Sequence, residues 1–319
     1  MADRPRIGIV GAGLAGLTAA DHLRGGGFEV IVWEKSRDIA GRLATRRSRN
    51  GLAFDHGPVA LAPRTATFRA FLDAAVADGR AARWPADRGS YVGLPDWRSL
   101  LRPLATDIDI RFGTEVAAIT EAESGWSVAL AGGACERVDW VVCTVPAPQA
   151  ARLLAAVPPY DGAGRITESM DPCWTLMAAW DADTPAADIV DGAAPFETIH
   201  RSSAKPGRDA TPVCWVGHAT RAWSDANLER SRDEVADALL PHLAAQIGAE
   251  PETAIHVVAH RWRYARAHAP TGVMFYGLED RLLVGGDWTS GGDADGAHAV
   301  GRAMAIAISW ACADGAARA

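Results

Sequence analysis

The feature that most constrains the fold is a glycine-rich turn near the N-terminus, set between a short apolar run and an apolar helical pattern. The run spans Arg6–Val10 and the turn reads Gly11-Ala-Gly-Leu-Ala-Gly16. A second apolar run, 28–33, ends at Glu34. Strand, tight turn, helix, strand and a terminal acid follow one another in this order in domains that bind a dinucleotide. We therefore predict a Rossmann-type α/β domain here.

Each glycine of this turn has a physical task. Gly11 permits the tight turn, Gly13 lets the backbone approach a pyrophosphate, and Gly16 lets the helix pack close to the strand. Glu34 lies 23 positions beyond Gly11, where an acid accepts hydrogen bonds from an adenosine ribose. The predicted cofactor-binding residues of this region are Gly11, Ala12, Gly13, Leu14, Ala15, Gly16, Glu34 and Lys35.

Two further segments carry candidate cofactor contacts. Arg42 follows the second strand closely and could reach a pyrophosphate, although Arg42, Arg46 and Arg47 together also fit a solvated basic loop. Near the C-terminus, the strand at 281–284 runs into a second glycine-rich turn, 285–292, and then an apolar helix. An aspartate there can accept hydrogen bonds from a polyol, and the helix directs its positive end at a ligand. These segments and the strand after Glu115 add Gly41, Arg42, Val116, Gly286, Asp287, Gly296 and Ala297 to the set.

The pattern of apolar residues predicts two domains, each assembled from separate parts of the chain. An amphipathic helix over 65–78 precedes a stretch rich in proline and glycine that we predict to be loop. Isolated strands and a long helix from Leu228 to about Ile247 indicate a mixed α/β substrate domain after residue 156. The predicted division is a discontinuous FAD-binding domain of residues 1–62, 105–155 and 279–319, and a substrate domain of 63–104 and 156–278.

Charge and cysteine content exclude several classes of protein. The net charge of −7 and the pI near 5.7 argue against nucleic acid as a partner. The five cysteines are scattered without zinc-ligand spacing, which predicts free thiols and no metal site. With no long apolar span, we expect a cytoplasmic protein without a membrane partner. Lys35 and Lys205 are the only lysines, and neither stands in a sequence context that indicates a catalytic pocket.

The two glycine-rich segments resemble those of FAD-containing oxidases of the amine-oxidase type. Within that superfamily the chain is similar to the bacterial renalases through the segments 54–57, 172–177 and 260–264, whereas the segments 41–46, 286–288 and 295–297 resemble the wider superfamily. The resemblance implies noncovalent FAD, since Cys312 lies far from the flavin motif, and O2 as electron acceptor. It implies a small-molecule substrate, either a 2- or 6-dihydro isomer of NAD(P), which is oxidised to NAD(P)+ with release of hydrogen peroxide, or an amine.

A dihydronicotinamide becomes aromatic when it loses hydride, so its oxidation needs no strong base. No Ser-His-Asp set or carboxylate pair stands out, in keeping with that chemistry. The residues expected to act at the substrate ring are His56, His260, Trp262, Tyr264 and Trp288. Two alternatives stay open: a flavin amine oxidase or desaturase-like enzyme acting on another small molecule, and a non-catalytic dinucleotide-binding module. The renalase pattern also departs at Pro58-Val59, beside His56.

Overall fold

Strands and helices alternate along the chain in the computed structural model, which describes residues 4–157, 170–277 and 279–318. The strands are β1 Arg6–Val10, β2 Glu29–Glu34, β3 Thr45–Arg47, β4 Ala53–Asp55, β5 Ala81–Trp84, β6 Ser90–Gly93, β7 Asp109–Phe112, β8 Val116–Glu121, β9 Trp126–Leu130, β10 Cys135–Val138, β11 Trp140–Cys143, β12 Met170–Trp180, β13 Ile189–Asp191, β14 Phe196–Arg201, β15 Val213–Ala219, β16 His256–Ala267, β17 Tyr276–Gly277 and β18 Leu282–Val284. The helices are α1 Leu14–Gly25, α2 Ala66–Ala77, α3 Trp97–Leu101, α4 Ala147–Leu153, α5 Arg221–Ala226, α6 Arg232–Ile247 and α7 Ala294–Arg318.

The first compact unit comprises Met1–Gly41, Leu101–Met170 and Ala267–Ala319. Its main sheet has the strand order β17-β18-β11-β1-β2-β7, in which β18, β11, β1, β2 and β7 run parallel. Helices α1 and α7 pack closely, because a Cβ on Gly301 would come within 2.3 Å of the Ala15 carbonyl oxygen. The predicted Rossmann-type α/β fold is confirmed.

The second compact unit comprises Arg42–Leu100 and Asp171–Arg266. Its five-stranded sheet has the order β13-β14-β15-β12-β16, and α6 covers one face through an apolar core. Helix α6 begins at Arg232 and not near Leu228, since Ser231 and Glu234 form a capping box. The other face carries Met177, Cys214 and Val216, against which Phe54 packs.

The segment predicted to be loop-rich after α2 was interpreted wrongly. It contains the antiparallel pair β5–β6 and the helix α3, and the backbone of Tyr91 also pairs with that of Leu61. Proline and glycine punctuate this segment so densely that its short strands show no clear alternation.

The boundaries of the two units differ from the predicted domain division in two main stretches. Residues 267–277 group with the first unit, whereas the sequence division assigned them to the substrate domain. Contacts group residues 42–62 with the second unit, whereas the sequence division assigned them to the cofactor domain. Residues 158–169 of the predicted substrate segment 156–278 lie outside the described residues. The division into an FAD-binding and a substrate domain stays a prediction.

Candidate functional site

The glycine-rich turns of the first unit lie at one edge of its parallel sheet. The Gly11 N–H donates to the Trp33 carbonyl at 2.9 Å, and the Thr144 N–H donates to the Val10 carbonyl at 3.0 Å. The Gly285 N–H likewise donates to the Cys143 carbonyl at 3.1 Å. The carboxyl ends of β1, β2, β11 and β18 therefore meet at this edge, which is where open α/β sheets bind ligands.

The first turn has the shape that a closely bound dinucleotide requires. Gly11 adopts a φ of +104°, which side-chain-bearing residues rarely adopt. A Cβ on Gly16 would lie 2.0 Å from the Gly11 carbonyl oxygen, so that position accepts only glycine. A Cβ on Gly13, by contrast, would meet no atom within 4 Å. The space beside Gly13 is open, as a cradle for a pyrophosphate must be.

The start of α1 is suited to an anion. Gly13 is its N-cap residue, without a side-chain cap, and the first turn holds no acidic residue. Uncapped N–H groups and the positive end of the helix dipole favour a phosphate here. A Cβ on Gly41 would lie 3.4 Å from the Gly13 Cα, so Gly41 borders the same turn. The residues present fit the diphosphate part of FAD.

Glu34 is buried at the end of β2 and already accepts two backbone hydrogen bonds. Its Oε2 accepts from the Ala12 N–H at 2.8 Å and its Oε1 from the Ser36 N–H at 2.7 Å. A carboxylate offers about four acceptor sites, so lone pairs remain for ribose hydroxyls. Lys35 beside it is exposed, and Val116 is buried at the start of β8.

The second turn, 285–292, also belongs to the first unit. Backbone groups in this turn and at the start of α7 already form hydrogen bonds within the protein. The carbonyl of Asp287 accepts from the Ser290 and Gly292 N–H groups. The Gly296 N–H donates to the Asp293 carboxylate at 3.0 Å, and the Ala297 N–H to the Asp293 carbonyl at 2.9 Å. A flavin contact through these two N–H groups stays a prediction, and it would have to share them with Asp293.

Trp288 differs from the other predicted substrate residues in both place and burial. It lies in the first unit, is fully buried, and donates from Nε1 to the Val145 carbonyl at 3.1 Å. Its ring stacks near Tyr276, with centroids 6.1 Å apart. The structure therefore places Trp288 in the packing of the second turn, and its predicted role toward the substrate stays a prediction.

Three predicted residues, His56, His260 and Trp262, form a cluster in the second unit. The centroid of the His56 ring lies 4.9 Å from that of His260 and 5.0 Å from that of Trp262, and the latter two are 4.3 Å apart. His256, His260 and Trp262 alternate along β16, so they share one face of the sheet. We call His56, His260 and Trp262 the histidine–tryptophan cluster.

Backbone hydrogen bonds hold His56 in this cluster. Its carbonyl oxygen accepts from Trp262 Nε1 at 3.0 Å and lies 3.4 Å from His218 Nε2. Its own N–H donates to the Ala44 carbonyl at 3.2 Å. The next residue must be glycine, because a Cβ on Gly57 would lie 2.0 Å from the Arg42 carbonyl oxygen. The segment 54–57 is thus fixed from several sides.

The histidines of this face are uncharged at neutral pH. Burial, followed by the charge of Arg46, lowers the pKa of His56 to about 4. Burial, with His56 and Arg232 next, lowers the pKa of His260 to about 3. Burial also lowers the pKa of His218 to about 4. The cluster therefore presents uncharged rings to a ligand at pH 7.

A buried ionic group, absent from the sequence prediction, underlies the segment 54–57. The Asp55 carboxylate lies 3.2 Å from Lys205 Nζ and 2.7 Å from Arg208 Nη2, and Thr45 Oγ1 donates to it at 2.5 Å. Asp55, Lys205 and Arg208 have buried side chains. The cations and the hydroxyl outweigh burial and lower the pKa of Asp55, while burial lowers the pKa of Lys205 to about 8. We call these three residues the Asp55 ion group.

The sequence contains little that would predict the Asp55 ion group. Lys205 was set aside because its neighbours in sequence carry no motif, and its partner Asp55 lies 150 positions earlier. The one available signal is that Lys205 is a lysine in a chain whose cations are almost all arginines.

Two more predicted residues fall in the second unit without joining the cluster. Arg42 Nη1 donates to the Ala265 carbonyl at 3.0 Å, and Tyr264 is half-buried on β16. Arg42 is thus held by a backbone carbonyl of β16, and its contact with a pyrophosphate stays a prediction. Within the described ranges, no group of three or more His, Cys, Asp or Glu residues could hold a metal ion.

Two family models match successive stretches of the chain, and each stretch includes residues of both compact units. Residues 9–75 match the family model of the NAD(P)-binding Rossmann-like domain, and residues 86–308 match that of the flavin containing amine oxidoreductases. The second match covers more than half of the chain.

A group of curated relatives, the desaturases of Staphylococcus aureus, matches the chain over a short segment. The chain is 38% identical over 53 residues to the 4,4'-diapophytoene desaturase (4,4'-diaponeurosporene-forming) of Staphylococcus aureus strain Newman. That segment is 17% of this chain and 10% of the desaturase, so the chain matches about a tenth of that relative's length.

Solved structures match along nearly the whole chain. A putative protoporphyrinogen oxidase from Exiguobacterium sp. 255-15 has a TM-score of 0.73 at 14% identity, covering 97% of this chain and 99% of the other. A wild-type putrescine oxidase bound to putrescine has a TM-score of 0.67 at 14% identity, covering 96% and 99%. At such low identity these likenesses show the fold.

Among the described helices, none is both long and apolar enough to cross a membrane.

Proposed function

The chain belongs to the family of flavin-containing amine oxidoreductases, and from that premise we propose that it oxidises 2- or 6-dihydro isomers of NAD(P). As a member of this family it is an FAD-dependent oxidoreductase, which removes the non-catalytic module from consideration. The proposed reaction converts the dihydro isomer, O2 and a proton into NAD(P)+ and hydrogen peroxide. Bound FAD supplies the two-electron exchange between the substrate and O2.

The protein's own residues would bind and orient both partners of this reaction. The turn at Gly11–Gly16 and Glu34 would hold the adenosine diphosphate part of FAD, and Arg42 would add a cation for the pyrophosphate. The histidine–tryptophan cluster would contact the flat nicotinamide ring. Because hydride loss makes that ring aromatic, the cluster has no proton to remove from carbon, and its task is positioning.

The observation that carries this proposal is the packing of the histidine–tryptophan cluster, in which three rings lie with their centroids 4.3 to 5.0 Å apart. The buried imidazole of His56 and the half-buried imidazole of His260, whose pKa values are both lowered chiefly by burial, suit a flat, neutral ring together with the half-buried indole of Trp262. The nearby carboxylate, Asp55, is committed to Lys205 and Arg208 and faces no solvent. A cationic amine would therefore find no free carboxylate in Asp55 to neutralise it.

A second candidate function is the oxidation of an amine or a desaturation. The family's description, the likeness to putrescine oxidase and the short match to a desaturase support it. It differs from the first candidate in the charge and shape of the substrate, so a direct substrate comparison separates them.

The test is to mix the holoenzyme anaerobically with each substrate and follow the flavin absorbance in the visible region. We expect fast bleaching by the 2- and 6-dihydro isomers of NAD(P)H and none by the ordinary 4-dihydro form. Bleaching by putrescine or another amine alone would replace the first candidate with the second. Oxygen uptake with peroxide formation checks the oxidative half of the reaction.

A pair of variants ties that activity to the histidine–tryptophan cluster. His260→Ala removes one ring of the cluster and should slow bleaching by roughly tenfold or more through lost positioning. His242→Ala changes an exposed histidine of α6 and should bleach at the wild-type rate. Equal rates for the two variants would remove His260 from the substrate site.

Two properties of the holoprotein complete the proposal. We propose that FAD is bound noncovalently, so acid precipitation of the protein should leave the flavin in the supernatant. We also propose a cytoplasmic location, supported by the five cysteines, all of which are free thiols. Flavin that stays with the precipitate would contradict the first proposal.

A further inference from the structure

Arg46 stands apart from the other cations around the segment 54–57. It lies on β3, paired in register with Phe54 on β4. Thr45 and Asp55 form the neighbouring pair and are hydrogen bonded to each other, so they share one side of this hairpin. Because side chains alternate along a strand, Arg46 and Phe54 lie on the opposite side. Arg46 is thereby separated from the Asp55 ion group.

The side of the hairpin that carries Arg46 faces strand β16, which also holds His260 and Trp262 of the histidine–tryptophan cluster. The Phe54 ring stacks on that of His256 with centroids 5.4 Å apart, and it packs on the sheet face that holds Val216. His256 and His260 lie on the same face of β16. Arg46 is half-buried, so its charge is less screened than that of a fully exposed arginine.

Neighbouring arginines have partners, whereas the guanidinium of Arg46 has none among the residues that the structure describes. Arg42 donates to the Ala265 carbonyl at 3.0 Å, and Arg47 pairs with the Asp96 carboxylate at 3.1 Å. A half-buried guanidinium without a counterion has donors available for a ligand that carries negative charge.

The charges around the cluster point the same way. Burial is the largest cause of the lowered pKa values of His56, His256 and His260, and the charge of Arg46 lowers all three further. Arg232 adds to the effect on His260. Asp55 acts in the opposite direction on His56, but it is already bound by two cations. The net field at this face favours an anion.

We propose that Arg46 determines substrate specificity by pairing with a phosphate group of the substrate, thereby selecting phosphate-bearing dihydronicotinamides over amines. This inference rests on the proposed function. The planar guanidinium matches two phosphate oxygens, while the rings of the cluster are left to contact the nicotinamide. An amine would be repelled by the same charge.

Binding of reaction products to the flavin-loaded protein tests this role without turnover. Calorimetry with NAD+, nicotinamide mononucleotide and nicotinamide riboside compares ligands with a pyrophosphate, one phosphate and none. We expect Arg46→Gln to weaken NAD+ and the mononucleotide by roughly tenfold or more, and the riboside by less than about twofold. Arg46→Lys should restore part of the affinity because it restores the charge.

Arg47→Gln is the matched control, since it removes the adjacent arginine, which is paired to Asp96. It should leave all three affinities near the wild-type values. A uniform loss for all three ligands in Arg46→Gln would make Arg46 structural and overturn the proposal. Loss of bound flavin in that variant would assign Arg46 to the cofactor and overturn it too.

The calorimetric result is distinct from the test of the proposed function. If the dihydro isomers fail to bleach the flavin while NAD+ still binds through Arg46, the reaction is wrong and the phosphate recognition stands. If neither NAD+ nor the mononucleotide binds the wild-type protein, the recognition is wrong, whatever the bleaching shows.

Discussion

At the scale of single residues, Asp55 organises the part of the second unit that presents His56. Its carboxylate is fully buried and meets two cations and a hydroxyl, while its N–H donates to Ser202 Oγ at 2.9 Å. Lys205 also lies 5.3 Å and 5.7 Å from the ring centroids of Trp84 and Trp97. His56 is the next residue in the chain, so the contacts of Asp55 fix the position of the His56 backbone.

The variant Asp55→Asn should destabilise the protein strongly. It leaves Lys205 and Arg208 buried without their counterion, a change that costs about 3–5 kcal/mol in the free energy of unfolding. Urea unfolding measures that loss. Asp78→Asn removes the carboxylate of an exposed pair with Arg80 and should cost at most about 1 kcal/mol. Equal losses in the two variants would contradict the role of the buried group.

Residue-level prediction is possible where the chemistry depends on residues that are close in sequence. The glycines of the first turn and Glu34 are recognisable because their tasks depend on fixed spacing along a strand, a turn and a helix. The Asp55 ion group joins positions that are far apart in the chain, so its members carry no spacing that a sequence could display. Arg46 was noted only as part of a basic loop, because its lack of a partner is a property of the folded hairpin.

At the scale of elements, the strand-turn-helix unit of β1 and α1 is the part of the fold that the sequence predicts most directly. The apolar runs on either side of the first glycine-rich turn predicted β1, α1 and β2, and the structure confirms them. The short pairs β3–β4 and β5–β6 were not predicted, since strands of three or four residues are too brief to show alternation. Their stability comes from packing within the second unit.

The first turn offers a prediction that separates folding from cofactor binding. Gly13→Ala should leave the apoprotein as stable as the wild type to within about 0.5 kcal/mol, because Gly13 has a negative φ and open space at Cβ. The added methyl group occupies the space into which the pyrophosphate must come, so FAD should bind about tenfold more weakly or worse. Flavin fluorescence during titration of the apoprotein measures the affinity.

Gly25→Ala is the control for that experiment. It adds the same methyl group at the other end of α1, also into open space, and should leave FAD affinity unchanged. If both variants bind FAD as the wild type does, the turn at Gly13 does not hold the pyrophosphate.

At the scale of the whole molecule, the buried histidines make stability depend on pH. Burial lowers the pKa values of His56 and His218 to about 4, against an ordinary value near 6.5 in an unfolded chain. Between those values the unfolded state binds more protons than the native state. The free energy of unfolding therefore falls as pH decreases from about 6.5 to 4, and it is unaffected by these groups above about 6.5.

Acid should therefore destabilise the protein before the carboxylates of the unfolded chain titrate. Each of the two histidines contributes a loss on the order of 3 kcal/mol across that window. Urea unfolding at pH 7.5, 5.5 and 4.5 measures the slope, which His218→Gln should reduce and His242→Gln, at an exposed position, should not. Constant stability from pH 7.5 to 4.5 would show that these histidines are not buried in the neutral form.

The close packing of α1 against α7 has a consequence for synthesis on the ribosome. The turn at Gly11–Gly16 emerges long before residues 294–318, on which the helix that follows the turn packs. The central strand β1 likewise lacks one of its two neighbouring strands until β11 has been synthesised. At a translation rate of about 5–20 residues per second, the nascent N-terminal segment spends on the order of 15 to 60 seconds without its partner helix. Its apolar strands are a natural target for chaperones during that interval, and the nascent chain should gain its capacity to retain flavin only once residues 294–318 have left the exit tunnel.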